Sequence, residues 1–342
     1  MLPFTPPFEP MLCRSASDIP AGPFLHEPKW DGFRCVVFRD GDAVHLESRK
    51  GQPLQRYFPE LLQPLRAALP ERAIVDGEIV IAGDSGLDFD ALQMRIHPAA
   101  SRVRMLAETS PATLLVFDLL ALGDDDLRSH AVEDRRARLT AAVAPNARFG
   151  LTPQTADPAE AATWFDRYEG AGCDGVIAKP LGSAYRSGER GWVKVKHLRT
   201  ADCVVGGYRK DLKIEAIASL LLGLYGDDGV LHHVGHTSSF SVQQRMEMLA
   251  QLQPLEGGES FGAGRTPGAP SRWTRGRDAS WTALRPELIC EVAFDHLQGG
   301  RFRHASRFLR WRTDKAPSQC DFEQLRPPHP LGLAEIVELR DG

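Results

Sequence analysis

The chain changes texture after Leu198-Arg199-Thr200-Ala201. Beyond that point Val204-Val205-Gly206-Gly207-Tyr208, residues 219–225 and residues 229–234 are short β-type runs parted by glycine turns, the texture of a small barrel. A helical stretch over 241–253 follows, and residues 256–278, with six glycines and two prolines, read as a mobile loop. Ahead of the change the pattern is mixed. An apolar–polar alternation flanks the turn Asp40-Gly41-Asp42, with Gly32-Phe33-Arg34-Cys35-Val36-Val37-Phe38 before it and Val44-His45-Leu46-Glu47-Ser48 after it, which predicts a hairpin. Residues 59–68, 133–143 and 158–169 read as helices, and 73–82, 112–122, 176–179 and 191–197 as strands. The run over 112–122 is apolar enough for burial on both faces. The proline-rich first 25 residues read as an extended arm. The class is therefore α+β, with a mixed domain over 1–200, a mostly β domain over 201–328 and a tail over 329–342.

A length of 342 residues, 42% hydrophobic and 25% charged, suits two globular cores and excludes a disordered chain. The start, Met1-Leu2-Pro3-Phe4-Thr5-Pro6-Pro7, lacks the basic and apolar regions of a signal peptide. The longest apolar run, 216–225, is about half of what a membrane span needs, so no membrane partner is expected. Six cysteines, Cys13, Cys35, Cys173, Cys203, Cys290 and Cys320, are scattered without a C-x-x-C pair, which argues against a zinc ribbon and predicts reduced thiols in a cytoplasmic protein.

Chemistry gathers around Lys29-Trp30-Asp31-Gly32-Phe33-Arg34, a K-x-D-G-x-R pattern on a loop entering a strand. A lysine can be a covalent nucleophile towards phosphorus only when unprotonated, so its pKa must fall through burial or nearby cations, and Arg34 supplies such a cation. Ser48-Arg49 closes the hairpin with a charge aimed back at the lysine. Asp76-Gly77-Glu78 sets two carboxylates in a strand, and Phe117-Asp118 ends the apolar run Leu114-Leu115-Val116. Asp174-Gly175-Val176-Ile177-Ala178-Lys179 and Trp192-Val193-Lys194-Val195-Lys196 follow. Alternation puts Lys194 and Lys196 on one strand face, where they repel unless an anion such as a triphosphate lies between them. Each piece alone also reads as an ordinary turn, edge pair or core ring.

In this order and spacing the pieces resemble the motifs of the ATP-dependent DNA ligase family, closest to the small bacterial DNA ligase C group and the ligase domain of bacterial ligase D. The likeness covers nearly the whole chain and ends in Arg312-Thr313-Asp314-Lys315, which is similar to the family's last motif, R-x-D-K. It implies an ATP-grasp-like nucleotidyltransferase (adenylation) domain followed by an OB-fold β-barrel. By resemblance Lys29 takes AMP from ATP and releases pyrophosphate; AMP then moves to the 5′-phosphate of a nick, where the 3′-hydroxyl displaces it. Glu27 would read the adenine edge, Phe117 would stack on the base, and Arg34 and Arg49 would hold phosphates. Glu78 would bind ribose or a metal-bound water. Lys194 and Lys196 would neutralise the α-phosphate, Arg312 would join the nucleotide contacts, and Asp314 and Lys315 would orient pyrophosphate. Mg²⁺ is implied, with Mn²⁺ as an alternative, held by Glu78 and Asp174. Asp174 departs from the glutamate usual in the family and reaches one methylene less far.

The implied partner is nicked double-stranded DNA, sealed in repair or end joining by a monomer of the bacterial cytoplasm and nucleoid, with an end-binding or other repair protein as a further partner. Only about 25 residues precede Lys29, so the extra DNA-binding domain of larger ligases is expected to be absent. The rival readings are an RNA ligase, a capping-type enzyme using GTP, and a non-catalytic OB protein. The formal net charge of −4 argues against a polyanion partner only as an average. Residues 76–126 carry 10 acids and 3 bases, whereas 179–213 carry 9 bases and 3 acids, and 261–315 carry 11 bases and 5 acids. Two basic runs fit a groove for a duplex backbone.

Overall fold

A computed structural model describes the chain apart from residues 84–85, 263–266, 268–279, 296, 327–328 and 341–342. It divides into two compact units, one of Met1–His197 with the C-terminal segment that follows Arg326, the other of Leu198–Arg326.

In the first unit the strands are β1 (Cys13–Ala16), β2 (Phe24–Lys29), β3 (Phe33–Asp40), β4 (Ala43–Ser48), β5 (Arg72–Val80), β6 (Thr113–Leu122), β7 (Phe149–Leu151), β8 (Gly175–Pro180) and β9 (Trp192–Lys196). Helices α1 (Leu62–Ala68), α2 (Phe89–Met94), α3 (Ala100–Thr109), α4 (Val132–Ala142) and α5 (Pro158–Arg167) lie between them. The two larger sheets run in the orders β1-β9-β8-β2 and β7-β6-β5-β3-β4. The β3–β4 hairpin turns at Gly41, whose φ of +62° suits the Asp-Gly sequence.

Alternation along β3 divides the core. Cys35 and Val37 face one apolar cluster with Leu61, Leu65, Val75 and Ile79; Val36 and Phe38 face another with Phe8, Met11, Ile74, Phe117, Tyr185 and Trp192. The second cluster takes residues from both sheets and lies beneath the cleft described below. The N-terminal segment is therefore not a loose arm. Phe8 and Met11 are buried, each contributing about 1.5–3 kcal/mol, and β1 pairs in parallel with β9. At the other end of the chain, Leu333 and Val337 pack with Trp30, Val80 and Leu115.

The second unit holds β10 (Arg199–Lys210), β11 (Ile217–Tyr225), β12 (Leu231–Thr237), α6 (Val242–Leu252), β13 (Ile289–Phe294) and β14 (Arg307–Trp311). Its sheet runs β12-β11-β10-β13-β14, and a parallel bridge between Thr237 and Ser306 brings the two edge strands together, as in a partly open OB barrel. Ser241 caps α6 in a reciprocal capping box with Gln244. Most of the glycine-rich stretch 256–278 lies outside the described residues. Among the described residues no helix is long and apolar enough to cross a membrane.

Candidate active site

Strand register assembles the site. In the first sheet Glu27 pairs with Ile177 and Ile177 with Lys194; two residues on, Lys29 pairs with Gly175 and Gly175 with Lys196. A period of two then sets Glu27, Lys29, Ile177, Lys194 and Lys196 on one sheet face. Gly175 is required there: its φ is +140°, and a Cβ would lie 2.0 Å from the Val195 carbonyl oxygen. In the second sheet Arg34 pairs with Glu78. Between β5 and β6 the register slips, with Asp76 opposite Asp118 and Gly77 opposite Val116, so Phe117 is the extra residue of a bulge. Bulges re-aim side chains, and this ring reaches the same cleft.

That cleft, about 340 Å³, is lined by Glu27, Lys29, Arg34, Arg49, Glu78, Phe117, Lys194 and Lys196, all of them expected from the sequence. Trp192, Lys179 and Arg190 also line it. Lys29 is the last residue of β2, a correction to its expected place on a loop. Gly32 lets the chain turn from β2 into β3, since a Cβ there would meet the Ile79 carbonyl oxygen at 2.3 Å.

Asp174 Oδ2 lies 2.5 Å from Lys29 Nζ and 2.7 Å from Lys196 Nζ. Burial pulls the Lys29 pKa down, but the charge and hydrogen bond of Asp174 outweigh it and the net shift is upward. The expected depression is thus reversed in this arrangement. Lys194 is shifted down, by burial first and then by Lys196 and Lys29. Burial pushes the Glu78 carboxyl up to about 7, against the opposing pull of Arg34 and Lys29.

Arg34 is held by a residue missed in the sequence. Its Nε and Nη2 each donate to Asp76 at 2.6 Å, and the guanidinium lies 4.8 Å from the Phe117 ring centre. Asp76 is wholly buried and also accepts from the Tyr185 hydroxyl at 2.6 Å. The signal was present as the first carboxylate of Asp76-Gly77-Glu78, but the register pairs Arg34 with Glu78, and only the side-chain distances show that Asp76 holds it.

Arg312, Asp314 and Lys315 gather elsewhere, at the end of β14 in the second unit. Arg312 Nη1 donates to both oxygens of Asp202 at 2.8 Å, Lys315 to Asp202 at 2.9 Å, and Arg312 to Asp314 at 2.8 and 2.9 Å. The Arg312 hydrogen bond holds the exposed Asp314 carboxyl down at about 2. Asp202 was not singled out by sequence reasoning. Of the basic run 261–315, Arg265, Arg272, Arg275 and Arg277 lie outside the described residues.

A lysine among other cations, with a carboxylate and an aromatic ring in the same cleft, is the arrangement of a nucleotidyltransferase. Residues 10–196 match the family described as the ATP dependent DNA ligase domain, and residues 213–315 match its C terminal region. The chain is 49% identical to DNA ligase C of Mycobacterium tuberculosis, covering 98% of each, and 49% identical to DNA ligase C1 of Mycolicibacterium smegmatis, covering 98% and 99%. Among solved structures, a Lig E DNA ligase shares the fold with a TM-score of 0.52 at 18% identity, covering 88% of this chain and 99% of that one. The chain belongs to the ATP-dependent DNA ligase family. It is an ATP-dependent DNA ligase.

Proposed function

We propose that the cleft of the first unit moves AMP from ATP onto Lys29, and that AMP then passes to the 5′-phosphate of a nick in duplex DNA, where the 3′-hydroxyl displaces it. The observation that carries this reading is the convergence of Lys29, Arg34, Arg49, Lys194 and Lys196 on one cleft that also holds Glu27, Glu78 and Phe117. In the first step the Lys29 nitrogen bonds the α-phosphorus as the bond to the pyrophosphate oxygen breaks. The departing proton has Asp174 within reach at 2.5 Å. Lys194 and Lys196 meet the charge that builds on the α-phosphate, and Arg34 and Arg49 hold further phosphate oxygens. Phe117 and Ile177 offer apolar surface to the base. Arg312 joins the nucleotide contacts, and Asp314 and Lys315 orient pyrophosphate.

Glu78 and Asp174 would hold Mg²⁺. Among the described residues no cluster of three metal-binding side chains forms, which suits Mg²⁺, since it takes one or two carboxylates and completes its shell with phosphates and water. Glu78 fits: a half-buried carboxyl with its pKa raised to about 7 gains from a cation. Asp174 already serves two lysines and fits only by sharing. The metal supplies charge neutralisation on the triphosphate.

The chain acts as a monomer at nicks in repair or end joining, in the bacterial cytoplasm and nucleoid, alone or with an end-binding protein. A duplex with one 5′-phosphate/3′-hydroxyl nick, incubated with ATP and Mg²⁺, should be sealed by the wild type and left open by Lys29→Ala. Sealing should weaken steeply as salt rises. Failure on DNA with success on an RNA nick, or with GTP alone, would overturn this reading.

A further inference from the structure

Glu27 lines the cleft beside Phe117 and Ile177, yet only 2% of it is exposed. A carboxylate so buried must be paired, and both of its partners approach one oxygen. Lys179 Nζ lies 2.7 Å from Oε1, and the side-chain amide of Gln154 also donates to Oε1. Lys179 is itself fully buried, donates to the Phe117 carbonyl at 3.0 Å, and lies 4.7 and 4.4 Å from the ring centres of Phe117 and Trp192. Gln154 reaches Glu27 from the segment after β7, 127 residues away in sequence. With Oε1 engaged, Oε2 is the oxygen left to a bound base.

We infer that Lys179 and Gln154 set the choice of purine by fixing the Glu27 carboxylate, with Oε1 engaged and Oε2 presented to the base as an acceptor. The inference rests on the cleft being the ATP site and names two positioning residues behind it. An ionised carboxylate accepts hydrogen bonds and cannot donate them. Adenine's 6-amino group is a donor and satisfies it. A 6-oxo purine brings another acceptor, and two acceptors face each other at the cost of an unpaired buried charge. Two donors on Oε1 fix the carboxyl plane.

ITP is the discriminating probe. It carries the 6-oxo group but lacks the 2-amino group of GTP, so exclusion by size does not enter. Covalent labelling of the protein from ATP and from ITP is measured for the wild type, Gln154→Leu, Lys179→Met and Lys179→Arg. The wild type should label from ATP and discriminate against ITP. Gln154→Leu, which keeps the buried ion pair, should lower the ATP-to-ITP ratio of kcat/KM about tenfold. Lys179→Met should lower it further, and Lys179→Arg should restore part of it. Should Lys179→Met fail to fold, Gln154→Leu decides. Equal loss for both nucleotides, with the ratio unchanged in Gln154→Leu, would overturn the inference and leave these contacts purely structural. No label in the wild type from either nucleotide would overturn the adenylation reading and the inference with it.

Discussion

Asp174 Oδ2 accepts from Lys29 Nζ at 2.5 Å while lying 2.7 Å from Lys196 Nζ, so one carboxylate is the counter-ion of two lysines of the cleft. Three like charges, Lys29, Lys194 and Lys196, share this sheet face, and Asp174 is what lets them approach. The family's usual glutamate would span a longer gap; here Asp174 directly precedes β8, which pairs with β2 at Lys29.

Removing that counter-ion should disable the nucleophile. Asp174→Ala is expected to slow single-turnover adenylation of Lys29 about 100-fold or more, in the range of a lost positioned acid–base group. Asp174→Glu keeps the charge and should retain at least about a tenth of the rate. Near-normal adenylation in Asp174→Ala would remove this residue from the site.

Phe117 should act on binding and not on chemistry. A ring stacked on a base contributes about 1–3 kcal/mol, so Phe117→Ala should raise the ATP KM about 10–100-fold. Phe117→Tyr should keep it near the wild-type value. The single-turnover rate at saturating ATP should change little in either variant, which quenched-flow labelling can measure.

The hydroxyl of Tyr185 donates to Asp76 at 2.6 Å and accepts from the Met11 amide at 2.9 Å. Tyr185→Phe leaves both without that partner and should cost about 1–2 kcal/mol, read as a fall in Tm of a few degrees. Asp76→Ala strands the Arg34 guanidinium and should cost about 3–5 kcal/mol. Thermal unfolding followed by far-UV circular dichroism gives both values.

How much of this was legible in the sequence follows from how far apart the partners lie. The β3–β4 hairpin was readable because its turn and alternation are local. The cleft residues were readable because each sits in a short motif. Asp76 and Lys179 stood inside those motifs, but their partners, Arg34 and Glu27, lie diagonal to them across the paired strands and are shown by side-chain distance alone. Gln154 had no motif at all. The strand β1 was read as an arm because its pairing partner β9 begins at Trp192. The direction of the Lys29 shift was also missed, since burial and Asp174 oppose one another and only a distance decides between them. The second unit's texture was clear, but Asp202, which organises Arg312 and Lys315, gave no local signal.

His233, on β12, is partly buried, and burial, then Arg301, Arg209 and His236, push its pKa down to about 3 from 6.5, against a backbone hydrogen bond at Gly235. The unfolded chain therefore takes up this proton first as pH falls. Stability is full above pH 6.5 and declines towards pH 3, by about 1 kcal/mol at pH 5 once partial exposure is allowed for. The fall in Tm between pH 7.5 and 5 should be smaller in His233→Phe than in the wild type. An unchanged fall would exclude His233 as its source.

Lys29 is expected to be the residue that carries AMP. Purified protein incubated with ATP and Mg²⁺, digested and mapped by mass spectrometry, should show one AMP on the peptide containing Lys29 and none in Lys29→Ala. AMP on another residue, or none in the wild type, would contradict it.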